Sequence, residues 1–212
     1  MAQWPHRGAC LKITVLVEGK TESAFKPHLV EFLKSKIIGN MPRLDFFRYD
    51  GRIPKEDKLR RAVENLLTIG PAPSSAVIAL TDVYTGTGDF VDAADAKAKM
   101  LQWVGHNARF HAHVAQYDFE AWLLPYWADI QAIAGHNRQA PAGPPEKVNH
   151  NRPPSYHIKE IFRIGTFRDS YSKTRDANRI LRGKDLAVAA SQCPDMKAFL
   201  NTIIGLSGGT PL

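Results

Sequence analysis

The sequence predicts an α/β fold: a mainly parallel four-stranded sheet flanked by helices, followed by a basic helical C-terminal region. Three observations predict it. Short apolar runs alternate four times with helix-spaced apolar stretches over roughly 120 residues, the pattern of successive crossover units. Several of the apolar runs end abruptly on a carboxylate. The segment beyond a proline-rich stretch then carries helical spacing and no strand signal.

Residues 11–17 read as a buried strand ending at Glu18-Gly19. Thr21 is a candidate N-cap for the helix in which Phe25, Leu29, Phe32, Leu33 and Ile37 recur, with Pro27 tolerable only in an early turn. Leu44 to Tyr49 is the second strand, closed by Asp50-Gly51. Leu59, Val63, Leu66 and Leu67 mark one face of a second helix that ends at Gly70-Pro71. Ala76 to Leu80 is a third strand, and Asp92 to Trp103 an alanine-rich third helix. His111 to Gln116 is the fourth strand, and Phe119 to Ala134 a fourth helix that Pro125 kinks or splits. Residues 138–154 form a Pro-rich loop or linker. Helical patterns follow around Tyr156–Phe162, Lys173–Leu181, Leu186–Ala190 and Met196–Ile204. The expected division is an α/β domain over 11–137 and a basic helical region over 155–206 packed on it.

Composition narrows the functional classes. No run of about 18 apolar residues exists, so a transmembrane helix is excluded. The first residues lack the apolar core of a secretory signal. Cys10 and Cys193 are far apart and without metal-ligand spacing, which reads as reduced thiols in a cytoplasmic protein. Charge is uneven: between Arg138 and Asp185, eleven Lys or Arg stand against five acids, whereas the rest of the chain is nearly balanced. Either an anionic partner, most commonly nucleic acid, or a solvated basic helical face accounts for this.

The chemistry concentrates where strands end. In open α/β sheets, ligands bind in the crevice at the carboxyl ends of the strands. Glu18, then Asp82, then Asp118 and Glu120 lie at three such ends, and converging carboxylates suit a hard divalent cation. Gly19-Lys20-Thr21 imitates the end of a phosphate-binding loop, but the glycine required five residues before Gly19 is Thr14. Glu18 would also repel phosphate, so ATP binding there is rejected. Glu22 fits either a helix start, where acids favour the positive dipole end, or the acidic site. Glu120 sits among apolar residues and requires compensation by helix N–H groups or by a cation. Asp89 and Asp92 suit capping of the third helix. His111 and His113 share one strand face without a third zinc ligand nearby, and no serine sits on a Gly-x-Ser-x-Gly turn.

Glu18-Gly19-x-Thr21-Glu22, Asp82-x-Tyr84 with Asp89-Phe90, and Phe119-Glu120-Ala121 together resemble bacterial Toprim-like proteins of domain-of-unknown-function family 4276. Tyr171-x-Lys173 and Cys193-Pro194 resemble that family's tail, and the likeness spans Ile13 to Ile204. The resemblance implies a Toprim-like (Rossmann-like) fold, as in topoisomerases, primases and nucleases of the overcoming-lysogenization-defect type. It implies Glu18 as general acid/base and Asp82 as a ligand of Mg²⁺ (or Mn²⁺). The second aspartate of the Toprim pair is replaced by Tyr84, so Glu120 or Asp89 must supply the missing carboxylate.

The expectation is a magnesium-dependent phosphodiester hydrolase acting on DNA or RNA. Glu18, Asp82 and Glu120 hold the metal, with Glu22, Tyr84 and Asp89 supporting. Lys173, Arg175, Arg179 and Arg168 contact the nucleic-acid backbone. Toprim relatives are often coupled to ATPases, which raises phage defence with an ATPase partner. The alternative is a non-catalytic subunit that binds nucleic acid or an ATPase.

Overall fold

The structure is a computed structural model, and it describes residues 11–49, 51–83, 88–149, 152–167 and 170–212. Tyr84, Arg168, Asp50 and Cys10, singled out above, lie outside these.

Four described strands, β1 (Lys12–Val17), β2 (Arg43–Arg48), β3 (Ala76–Asp82) and β4 (Phe110–Ala115), form one sheet in the order β2-β1-β3-β4. Every pairing is parallel. The central strands are apolar on both sides, because a parallel sheet with helices on both faces shelters each side chain from water. Accordingly Ile13, Val15, Leu16 and Val17 of β1 and Ala76 to Ala79 of β3 have no solvent exposure.

Helix α1 (Lys20–Lys34) joins β1 to β2 and packs Phe25, Leu29, Phe32 and Leu33 on one face of the sheet. Helices α2 (Glu56–Thr68) and α3 (Ala93–Val104) cover the opposite face through Leu59, Val63, Leu67, Ala96 and Met100. The chain thus leaves β1 in one direction and returns to place β3 on its other side. That reversal between β1 and β3 is the switch point at which such sheets open a crevice.

After β4 a 3-10 helix (Phe119–Tyr126) runs into α4 (Trp127–Ala134), so the fourth helix divides at the proline-containing turn as expected. A 3-10 turn (Pro145–Lys147) interrupts the proline-rich stretch. Helices α5 (Pro154–Ile164), α6 (Lys173–Leu181), α7 (Leu186–Gln192) and α8 (Pro194–Leu206) then join α1 in the same buried cluster. No described helix is long and apolar enough to cross a membrane.

Two local expectations are corrected. The first helix begins two residues early, with Gly19 in extended conformation at the N-cap position and no side-chain cap, while Thr21 is buried inside the first turn. Pro27 lies well inside α1 rather than in its opening turn. Asp92, by contrast, caps α3 by accepting the Asp95 N–H at 2.8 Å.

Glu146, in a segment read as loop, organises the C-terminal region. It is 6% exposed and accepts hydrogen bonds from Trp122 Nε1 (3.0 Å) and from the backbone N–H groups of Asp195 (3.0 Å) and Met196 (3.1 Å). One carboxylate thereby satisfies the start of α8 and ties it to the 3-10 helix. Truncation would strand three donors, each costing about 1 kcal/mol or more when buried. Glu146→Ala should lower unfolding free energy by about 2–4 kcal/mol, and Glu146→Gln by less because one acceptor remains. Urea denaturation measures both, and an unchanged midpoint for Glu146→Ala would contradict this role.

Candidate functional site

The crevice at the switch point is an open hollow of about 430 Å³ lined in part by Glu18, Gly19, Glu22, Arg52, Asp82 and Lys173. Register places its acids. Val17 stands opposite Leu80 in the β1–β3 ladder, so the next residues, Glu18 and Thr81, meet. The Thr81 hydroxyl donates to Glu18 Oε1. Asp82 follows at the end of β3, and Glu22 enters from the first turn of α1. Gly19 admits this approach: a Cβ there would sit 3.2 Å from Glu22 Oε2.

Asp118 and Glu120 rise from beneath, at the start of the 3-10 helix, and both have no solvent exposure. Asp118 Oδ2 accepts the Ser155 N–H at 3.1 Å, whereas Asp118 Oδ1 is buried without a hydrogen-bond partner. Lys173, opening α6, reaches Glu120 Oε1 at 3.3 Å, and the Tyr171 hydroxyl stands 3.5 Å from the same oxygen.

Crowding and burial act together on these acids. Burial pushes Asp82 well above the usual carboxylate range, and the neighbouring charges of Glu22, Glu18, Asp118 and Glu120 push in the same direction. Burial likewise raises Glu22 to about 7, reinforced by Glu120 and Glu18 and opposed by its own backbone N–H and by Lys173. Asp118 rises to about 7, first from burial and then from Glu120, against the bonds to Ser155. Glu18 is raised by burial, with Thr81, Arg52 and the backbone N–H groups of Asp82 and Ile53 holding it back.

The structure thus brings Glu18, Glu22, Asp82, Asp118, Glu120 and Lys173 together, and adds Thr81 and Arg52. Asp118 was visible as an acid after the fourth strand, but only the buried start of the 3-10 helix turns it toward the cluster. Thr81 and Arg52 carried no motif. Asp89 stands apart, held by Arg52 and by Lys55 at 2.5 Å. Arg175 and Arg179 ring the fully buried Asp176, at 3.1 and 3.9 Å, with about half and a third of their side chains exposed. His113 serves packing: Nε2 meets Thr202 Oγ1 at 3.0 Å and the ring lies edge-on to Phe199.

An all-oxygen set of carboxylates, Glu22, Asp118 and Glu120 buried and Glu18 and Asp82 partly so, with one oxygen lacking any partner, has the donor chemistry of a hard divalent cation. Among the described residues no three His, Cys, Asp or Glu side chains already stand as a finished ligand set. Binding therefore requires side chains to close in, and Lys173 to yield part of its hold on Glu120.

The sequence profile described as "Domain of unknown function (DUF4276)" matches residues 17–204. The chain belongs to this family. No curated protein matches it in sequence. Among solved structures, this DUF4276 member is similar to the C-terminal region of the Burkholderia pseudomallei OLD protein. The TM-score is 0.52 at 12% identity, covering 92% of this chain and 98% of that one. The C-terminal region of the Xanthomonas campestris pv. campestris OLD protein aligns with a TM-score of 0.47 at 15% identity, over 92% and 95% of the two chains. The first likeness establishes a shared fold.

The raised acids carry a pH consequence. A carboxyl that titrates near 7 when folded and near 4.5 when unfolded binds more protons folded throughout that window. Stability must then fall as pH rises through it. In EDTA, the melting temperature should drop by about 3 °C or more from pH 5 to pH 8, and by less in Glu22→Gln. Thermal melts across that range check this; a wild-type profile that is flat or rises would contradict it.

Proposed function

We propose that the protein is a Toprim-type nuclease, a magnesium- or manganese-dependent phosphodiester hydrolase acting on DNA or RNA. The observation that carries this reading is the convergence of Glu18, Glu22, Asp82, Asp118 and Glu120 at the switch point of a parallel sheet. Support comes also from the fold shared with an OLD protein's C-terminal region and from the Toprim-like order of motifs.

Glu18, Asp82 and Glu120 would hold the cation, with Glu22 and Asp118 adjoining. The chemistry that a hard divalent ion supplies in such a set is polarisation of a phosphoryl oxygen and a lower pKa for a bound water. The remaining roles belong to this chain. Glu18, at the rim and raised in pKa, accepts and returns the proton of the attacking water. Lys173, released from Glu120, supplies positive charge to the departing phosphate oxygen. Arg175, Arg179 and Arg168 on the basic region meet the backbone phosphates, an attraction that weakens as salt rises.

A cytoplasmic location, a role in phage defence and an ATPase partner belong to the same reading. One observation favours the second reading, a non-catalytic subunit that binds nucleic acid or an ATPase: the Lys173 ammonium already neutralises Glu120.

Labelled DNA and RNA incubated with Mg²⁺, Mn²⁺ or EDTA discriminate the two. Cleavage should require metal and should fall at least about 100-fold in Glu18→Gln and Asp82→Asn, each removing several kcal/mol of transition-state stabilisation. No cleavage with either metal, together with binding that survives both substitutions, would rule the hydrolase out.

A further inference from the structure

Strand β2 is an edge of the sheet, and its outward end carries two aromatic residues on one face. Phe47 is 48% exposed, and its ring centroid lies 5.1 Å from that of Tyr49 at an interplanar angle of 54°. Helices α2 and α3 cover the sheet on this side but leave Phe47 open, whereas Tyr49 is partly buried against their cluster. Single exposed apolar side chains are ordinary at a protein surface, but a half-open aromatic on an edge strand presents a ring face to a ligand.

Register ties this pair to the acidic crevice. Phe47 stands opposite Leu16, and paired residues of parallel strands point to the same face. Two residues on, Tyr49 and Glu18 therefore share that face. The backbone confirms the proximity: Tyr49 N–H donates to Val17 O at 2.9 Å and Gly51 N–H to Glu18 O at 3.2 Å. Basic residues border the acids here, although Arg52 and Lys55 are both ion-paired with Asp89. From Arg48 to Lys55 the chain has three basic residues against one acid, and Lys20 and Arg52 line the crevice itself.

We infer that Phe47, backed by Tyr49, is a stacking platform for the bases of single-stranded nucleic acid, leading the strand past Lys20 and Arg52 into the crevice. The inference rests on the reading of that crevice as a nucleic-acid site and specifies its substrate class. Ring faces accept any base, so the contact is indifferent to sequence. In a duplex the bases are already stacked on one another, and only phosphates remain for the cationic rim to meet. A base on Phe47 would cover the exposed ring, and its phosphates would lie toward Lys20 and Arg52. Stacking also needs no metal, so the platform acts when the acids are empty.

The test is fluorescence anisotropy in EDTA with a labelled oligothymidine of about 12 nucleotides and a duplex of equal length, on the full chain. Wild type should favour the single strand. Phe47→Ala should weaken single-strand binding by about 5- to 150-fold while changing duplex binding by less than about 2-fold. Phe47→Leu, which keeps apolar bulk without a ring, should lose affinity likewise, and Phe47→Trp should retain it with its added emission quenched by the oligonucleotide. Unchanged single-strand affinity in Phe47→Ala and Phe47→Leu, at wild-type melting temperature, overturns the platform and leaves the hydrolase reading intact. Conversion of a dimer to a monomer by Phe47→Leu in sedimentation would also overturn it, making the face an interface between copies. Absence of single-strand binding by wild type in EDTA also overturns the platform, whereas the hydrolase reading is decided by cleavage with Mg²⁺ or Mn²⁺.

Discussion

The parallel register between β1 and β3 is the constraint on which the site depends. With Val17 opposite Leu80, the two strands end together, and Glu18, Thr81 and Asp82 are delivered to one point by backbone hydrogen bonding alone. Shifting either strand by one residue would exchange the side chains packed on its two buried faces, so the fitted packing of Leu16, Val17 and Leu80 guards the position of the acids. The sheet thus uses its core to hold like charges closer than they would stand in water. That arrangement is unfavourable unless protons or cations intervene, which is why burial and mutual repulsion raise Glu22 and Asp118 to about 7.

The C-terminal helices supply part of the compensation. Helix α6 is held against α1, where His28 Nε2 and Asn178 Oδ1 lie 2.6 Å apart. Its first turn is fixed from within, since buried Asp176 accepts the Ser172 N–H at 2.7 Å and binds Arg175. These contacts place Lys173 over Glu120. The basic region is therefore bound into the acidic site as well as presenting charge to solvent. An excess of cations in the sequence becomes, in the fold, a set of specific counter-ions for Glu120 and Asp176, with half-exposed arginine surface remaining.

Much of this was legible in the sequence, and the limits have physical causes. All four strands and most helices showed because apolar runs and 3.6-residue spacing report burial directly. Glu18 and Asp82 showed because a carboxylate at the end of an apolar run has few structural uses. Thr21 misled because its residue type suits a cap, whereas Gly19, leaving the strand extended, brings the helix start forward. Glu146 gave no comparable signal: its role depends on Trp122 and the start of α8, which lie 24 to 50 residues away. Arg52 and the Phe47–Tyr49 pair became meaningful only once the sheet order put β2 at an edge beside the crevice.

We propose that the crowded acids at the β1–β3 switch point form a site for a divalent cation. Calorimetric titration of Mn²⁺ into the protein at about pH 7.5, above the raised pKa of Glu22, measures it most directly. Saturable binding with proton release is expected, lost in Asp82→Asn and retained in Arg175→Ala. Binding of equal strength in wild type and Asp82→Asn, or none in either, would contradict it.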